Sequence, residues 1–185
     1  MTVGSESLYR GNFTGDELAA KISDMRSSAP DFRYGTADSW NKFQDGTADP
    51  VIAVSDILLC NAFSYWQGQK MSNATGSFFD DIMQAFGRVQ SQAGKKAPEL
   101  WVGETGWPTA GSSYQDAVPG LGNAKKYFNE AICGMVKWGF NVFMFEAFDE
   151  PWKPVSIGED GKAADETHWG AMKANREEKY SLKCE

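Results

Sequence analysis

Histidine, basic charge and long apolar runs are what this sequence has least of. A single histidine, His168, stands among 185 residues. With no second ligand near it in sequence, it is expected to anchor a C-terminal turn and not to hold a metal. The three cysteines, Cys60, Cys133 and Cys184, are far apart and show no metal-ligand spacing. No GxGxxG or GxxxxGKS/T follows any strand-like run, so neither a metal nor a nucleotide cofactor is expected. The formal charge is −7 at pH 7. A nucleic-acid partner normally needs a basic stripe, and none is visible. No run approaches the roughly 20 apolar residues of a membrane span. Residues 1–20 lack the basic-then-apolar pattern of a signal peptide, so the chain itself is expected to carry no export address.

What is present is an ordinary globular composition, enough for one core, with seven tryptophans. Aromatic side chains are usually core, but sugar-binding clefts use them too, because the C–H face of a pyranose packs on a flat ring. Cys60 lies in the apolar run ILLCNAF and reads as a buried free thiol. Cys133, on a helix-like segment, and Cys184, one residue from the end, could form a bridge that ties down the tail. Two N-x-S/T sequons occur, at Asn12 and Asn73, and lend slight support to export.

Strand-like and helix-like segments alternate. TVGSE (2–6) precedes a helix over 14–28, where Leu18, Ile22 and Met25 share a face and Thr14 with Glu17 forms a capping box. Residues 30–38 read as a short strand, 39–53 are ambiguous, and 57–66 form a continuous apolar run like a strand buried on both faces. A helix over 77–92 turns Phe79, Ile82, Met83, Phe86 and Val89 inward. LWVGE (100–104), a helix over 121–138 with Leu121, Ala124, Phe128, Ile132 and Met135 inward, and a strand over 141–148 follow. Strands with helices between them predict a parallel sheet. Two architectures fit: an open doubly wound sheet, which the length favours, and the second half of a (β/α)8 barrel. In both, ligand chemistry gathers at the carboxyl ends of the strands.

Those ends carry Glu6, Glu104 and Glu146. One glutamate at a strand end can simply meet solvent or a lysine; three in a short chain suggest apparatus. A carboxylate pair is what glycoside hydrolysis uses, one as nucleophile on the anomeric carbon and the other as general acid and then base. A retaining enzyme needs the two about 5–5.5 Å apart, and at that range one charge raises the pKa of its neighbour.

WVGETGWPTAG (101–111) resembles the nucleophile signature of the glycoside hydrolase family 17 β-1,3-glucanases, and TVGSESLYRG (2–11) resembles the acid/base segment of their fungal cell-wall members. NAFSYWQG (61–68), FMFEAFDEPWK (143–153), THWGAM (167–172) and KYSL (179–182) match the same branch in order. The resemblance covers essentially the whole chain. It implies an α/β fold that is the C-terminal part, about strands 4–8, of a (β/α)8 TIM barrel, with residues 1–185 as a single partial domain. It implies Glu104 as nucleophile and Glu6 as general acid/base. Glu146 would bind a sugar hydroxyl or orient the nucleophile, and Tyr65, Trp107, Asn61 and Phe63 would line a cleft for β-1,3-glucan. Core packing is the alternative for both Tyr65 and Trp107. In Asp149-Glu150-Pro151-Trp152 the charges read as a solvated loop, with Trp152 closing the barrel end. The full-length relative would be extracellular or in the cell wall.

The pattern departs from its relatives in two places. Ser5 stands before the acid/base, where many have asparagine, and strands one to three would precede Met1. The chain is accordingly expected to be a truncated product with little hydrolase activity by itself. Transfer to a sugar hydroxyl in place of water, a non-catalytic glucan-binding protein, and a small doubly wound binding domain are the competing readings.

Overall fold

The structure, a computed structural model, describes residues 1–94, 96–157, 163–164 and 166–184. The elements run β1 (Thr2–Ser5), α1 (Gly15–Ser28), β2 (Gly35–Ser39), α2 (Trp40–Gln44), α3 (Asp49–Val54), β3 (Ile57–Asn61), α4 (Met71–Ala93), β4 (Glu99–Thr105) and α5 (Leu121–Tyr127). A π-helical turn (Phe128–Ile132), α6 (Cys133–Lys137) and β5 (Val142–Met144) follow. β6 (Ser156–Ile157) and β7 (Ala163–Ala164) make a small antiparallel ribbon. β1 to β5 form a parallel sheet in sequence order. That order is what successive β/α units produce, each helix returning the chain to start the next parallel strand. β2 and β3 are in register from Gly35 opposite Ile57 to Ser39 opposite Asn61. β1 pairs Thr2 with Gly35 but Ser5 with Ala37, so β1 carries one extra residue just before Glu6. Such a bulge re-aims the side chain that follows it.

The chain divides into two compact units. The first holds residues 1–62 and 80–103. Its core is built from Leu18 and Ile22 of α1, Phe43 of α2, Val51 and Ile52 of α3, Leu58 and Cys60 of β3, Ile82, Phe86 and Val89 of α4, and Val102 of β4. Each large side chain buried there contributes about 1.5–3 kcal/mol. α1 starts as expected: the Glu17 N–H donates to Thr14 Oγ1, and the Thr14 N–H donates to Glu17 Oε2 at 2.8 Å. Cys60 is a buried free thiol, its pKa pushed well up by burial and by the charges of Asp81 and Asp38.

The second unit holds residues 63–79 and 104–185. Tyr65, Phe78, Trp107, Tyr127, Phe128, Met135 and Trp169 are buried in it. Cys133 and Cys184, which the sequence left as a possible pair, form a disulfide, and Tyr180 is buried against the Phe128 ring. No helix among the described residues is long and apolar enough to cross a membrane.

Several boundaries and faces differ from the sequence reading. β2 begins only at Gly35, because residues 30–34 make no ladder and Phe32 is exposed. The ambiguous stretch resolves into α2 and α3. The apolar run from Ile57 leaves the sheet after Asn61, and Ser64 then bonds the Ala74 carbonyl. α4 starts six residues earlier than expected, and its buried face is Ala74, Phe78, Ile82, Ala85 and Val89; Met83 faces solvent and Phe79 is only half-buried. Met25 is exposed because the last turn of α1 is fastened by Arg26, which donates to Val54 O and Asp56. Leu121 is exposed at the start of α5. β5 ends at Met144, since residues 146–149 pair with 169–172 in place of a sheet neighbour.

Candidate active site

In the first unit, Glu6 directly follows β1 and is half-buried. Its backbone sits in the left-handed region at φ 52°, which a glutamate adopts at a cost of about 1–3 kcal/mol. Main-chain bonds hold it there: Glu6 N–H donates to Ala37 O at 2.9 Å, and Arg10 N–H donates to Glu6 O at 2.9 Å. Both carboxylate oxygens accept. Asn61 Nδ2, at the end of β3, donates to Oε1 at 3.2 Å, and Arg10 Nη2 donates to Oε2 at 2.8 Å. Arg10 is largely exposed, so its pair with Glu6 is worth at most about 1 kcal/mol. Asn61 is buried, and among the described residues its Oδ1 has no hydrogen-bond partner. The structure thus brings together Glu6 and Asn61, two of the residues named from sequence.

In the second unit, Glu104 is half-buried on the penultimate residue of β4. The residue after it, Thr105, is fully buried; its hydroxyl meets Tyr127 Oη at 2.8 Å, and its carbonyl accepts from Phe145 N–H at 2.8 Å. A Cβ on Gly106 would lie 2.0 Å from Phe145 O, so only glycine lets the chain pass that close. The turn-formers after Glu104 therefore serve a close backbone approach that stops the strand and leaves the carboxylate at its end.

Glu146 lies in the segment after β5, not on the strand, and the Phe145–Glu146 peptide is cis. Lys153 Nζ donates to both its oxygens at 2.8 and 2.7 Å and also lies 3.1 Å from Glu150. One ammonium shared by two carboxylates leaves net negative charge. Burial raises the Glu146 pKa, the Lys153 bonds oppose this, and Glu150 adds to the rise. Burial works against the Lys153 charge, but its bonds to Glu146 and Glu150 outweigh it and hold that ammonium above its ordinary pKa. Asp149 is held by Lys179 and the Gly170 N–H, so neither acid of the Asp149–Glu150 pair is simply solvated, and Trp152 projects into solvent instead of closing an end.

The aromatic residues form one cluster in the second unit. Phe63 meets Phe145 and Trp169 edge-on. Tyr65 meets Trp66, Trp107 and Trp169 edge-on, and Trp66 stacks on Trp169. Tyr65 and Trp107 are 2% and 1% exposed; Tyr65 Oη donates to Ser112 O at 2.6 Å and Trp107 Nε1 to Val118 O at 3.0 Å. Their polar atoms thus pin the loop after β4. The His168 carbonyl accepts from the N–H and hydroxyl of Thr109, which fastens the C-terminal segment to that loop. A cavity of about 440 Å³ opens beside Lys179, lined also by Thr109, Leu121, Asp149, His168 and Glu177. Its lining carries charges of both signs and no tryptophan, tyrosine or phenylalanine.

Sequence reasoning missed Arg10, Asp38, Lys153 and Lys179. Asp38 had a signal: it stands near the end of β2, where the rule that singled out the glutamates applies equally. Arg10 is four residues after Glu6, but a turn, not a helix, brings them together. Lys179 reaches its partners across 30 and 70 residues, which no local pattern reveals.

A parallel β/α sheet with acidic residues at the carboxyl ends of its strands defines an α/β class in which ligand chemistry gathers at those ends. Comparison with known proteins narrows this. Residues 1–170 match the BtgE/BtgC glycoside hydrolase domain, and the chain belongs to that family. It is similar to a glucan 1,3-beta-glucosidase of Arthroderma benhamiae, 50% identical over 187 residues that cover 100% of this chain and 61% of the relative. A glucan 1,3-beta-glucosidase of Saccharomyces cerevisiae is 47% identical, over 99% of this chain and 61% of the relative. The fold is similar to the crystal structure of the glycoside hydrolase family 17 β-1,3-glucanosyltransferase from Rhizomucor miehei, with a TM-score of 0.82 and 28% identity over 99% of this chain and 63% of that one. The chain spans about three fifths of the length of the curated relatives it matches.

Proposed function

We propose that this chain carries the two-glutamate apparatus of a retaining β-1,3-glucan hydrolase, on a sheet corresponding to about strands 4–8 of a (β/α)8 barrel. Glu104 is the nucleophile and Glu6 the general acid/base. In the first step the Glu104 carboxylate attacks the anomeric carbon while the departing glycosidic oxygen takes the Glu6 proton. In the second, Glu6 as carboxylate removes a proton from water, which attacks the same carbon and releases Glu104. Asn61, Phe63 and Glu146 are assigned to glucan binding; the buried Tyr65 and Trp107 are assigned to holding the loop after β4. The observation that carries this reading is the placement of Glu104 and Glu6 at the carboxyl ends of β4 and β1, in a chain half-identical to a glucan 1,3-beta-glucosidase. A wall or extracellular location is proposed with it.

The test is release of reducing sugar from laminarin by the protein expressed from its own gene. Glu104→Gln is expected to abolish turnover and Glu6→Gln to slow it about 100- to 10,000-fold. Turnover that survives Glu104→Gln would refute the assignment. Similarity to a glucanosyltransferase supports transfer to a sugar hydroxyl as a second reading. Products longer than a defined laminari-oligosaccharide substrate would favour it over hydrolysis.

A further inference from the structure

We propose that Asp38 is the positioning residue of the general acid/base: its buried carboxylate grips the turn after Glu6 and so fixes the backbone from which the Glu6 carboxyl is aimed. This rests on the assignment of Glu6 above. Asp38 is 0% exposed, yet it lies in a strand whose neighbours Thr36 and Ala37 are buried without charge. Its oxygens accept three main-chain bonds: Leu8 N–H to Oδ2 at 2.9 Å, Tyr9 N–H to Oδ1 at 3.1 Å, and Ser39 N–H to Oδ1 at 2.9 Å. Burial raises its pKa, the three N–H donors pull against that, and the Glu6 charge adds to the rise.

A buried anion of this kind adds little stability that a well-packed apolar residue would not. What it supplies is geometry. Glu6 donates its N–H to Ala37 O, one residue before Asp38, and the Leu8 and Tyr9 amides close on Asp38 itself. The segment from Glu6 to Tyr9 is thereby clamped at both ends against the end of β2. Between the clamps Glu6 occupies its left-handed φ of 52°. Remove the acceptor, and the buried Leu8 amide loses its partner and the turn is free to relax toward ordinary φ, swinging the Glu6 side chain off Asn61.

The test compares Asp38→Asn, Glu6→Gln and wild type on two substrates. One is a laminari-oligosaccharide, whose leaving group needs a proton; the other is 2,4-dinitrophenyl β-laminaribioside, whose leaving group does not. Asp38→Asn is expected to lose about 100-fold in kcat/KM on the oligosaccharide, the scale of a misplacement near 1 Å. KM is expected to hold, and the dinitrophenolate burst to stay within threefold of wild type. Added azide, which attacks the glycosyl-enzyme without a general base, is expected to accelerate turnover of Asp38→Asn and Glu6→Gln but not of wild type. A merely structural role would depress both substrates alike and give no azide rescue. Wild-type turnover with a rescued Glu6→Gln and an Asp38→Asn indistinguishable from wild type would overturn the role of Asp38 alone. A wild type expressed from its own gene that turns over neither substrate would overturn the two-glutamate reading and this role with it. Should Asp38→Asn not fold, hydrogen exchange in the wild type decides: the Leu8 and Tyr9 amides are expected to be protected like those of β2, and fast exchange at both would overturn the grip.

Discussion

Substituting Gly103 by alanine tests how tightly the sheet holds the acid/base. A Cβ there would stand 2.4 Å from Asn61 Oδ1, 2.9 Å from Leu59 Cβ and 3.3 Å from the Leu59 carbonyl carbon. Leu59 is main-chain-anchored in β3 and has little room to yield, so Asn61 must retreat by about 1 Å to regain ordinary contact, at an overpacking cost of about 2 kcal/mol. Among the described residues Asn61 Oδ1 has no partner to lose, but Asn61 Nδ2 is the donor to Glu6 Oε1 at 3.2 Å, and that bond is expected to break. For a chain of this size the strain corresponds to a fall in Tm of about 4–8 °C, and the displaced amide to a loss of about 100-fold in glucan turnover. Thermal unfolding by circular dichroism and reducing-sugar release from laminarin read the two effects separately. In the double variant with Asn61→Ala the 2.4 Å contact disappears while that with Leu59 Cβ at 2.9 Å remains, so the two stability losses are expected to be less than additive. Gly103→Ala with unchanged Tm and unchanged turnover would show that β3 and β4 accommodate the extra methyl, and the reasoning would be wrong.

Cys184→Ser opens a loop of sequence separation 51 and is expected to cost about 4 kcal/mol by the loop-entropy relation; urea unfolding that shows less than 1 kcal/mol would contradict it. Lys179→Met removes a nearly buried ammonium that bonds Asp149 and Thr109. It is expected to destabilise by about 3 kcal/mol, since a part-buried carboxylate loses its cation, measured as a shift in the urea midpoint. Burial works against the Asp56 charge, but the Tyr34 N–H, Arg26 and Lys96 outweigh it and hold its pKa below the ordinary 3.8. A lowered carboxylate pKa stabilises above the unfolded value, and that stability is lost as pH falls through the folded value. Asp56→Asn is therefore expected to cost about 2 kcal/mol at pH 7 and progressively less as pH falls below about 4; a difference from wild type independent of pH would refute this.

The placement of the carboxylates was legible because it rests on local rules. An apolar run that stops at Gly106 leaves Glu104 at its end, and TVGS leaves Glu6 at the end of β1. The capping box of Thr14 and Glu17 and the buried Cys60 were readable for the same reason. Helix faces were read less well, since a face depends on what lies opposite: Phe78, not Phe79, is buried, and Arg26, not Met25, meets a neighbour.

The residues by themselves determined a β/α alternation, the acidic strand ends and the chemistry those ends suggest, because strand period, caps and turn-formers act within a few positions. Only the tertiary structure decided which groups hold those carboxylates. Asn61 reaches Glu6 across 55 residues, Asp38 grips Leu8 across 30, and one lysine serves both Glu146 and Glu150. Such pairings depend on strand register and on a left-handed turn at Glu6, which are settled by packing among distant segments and leave no periodic trace in the sequence.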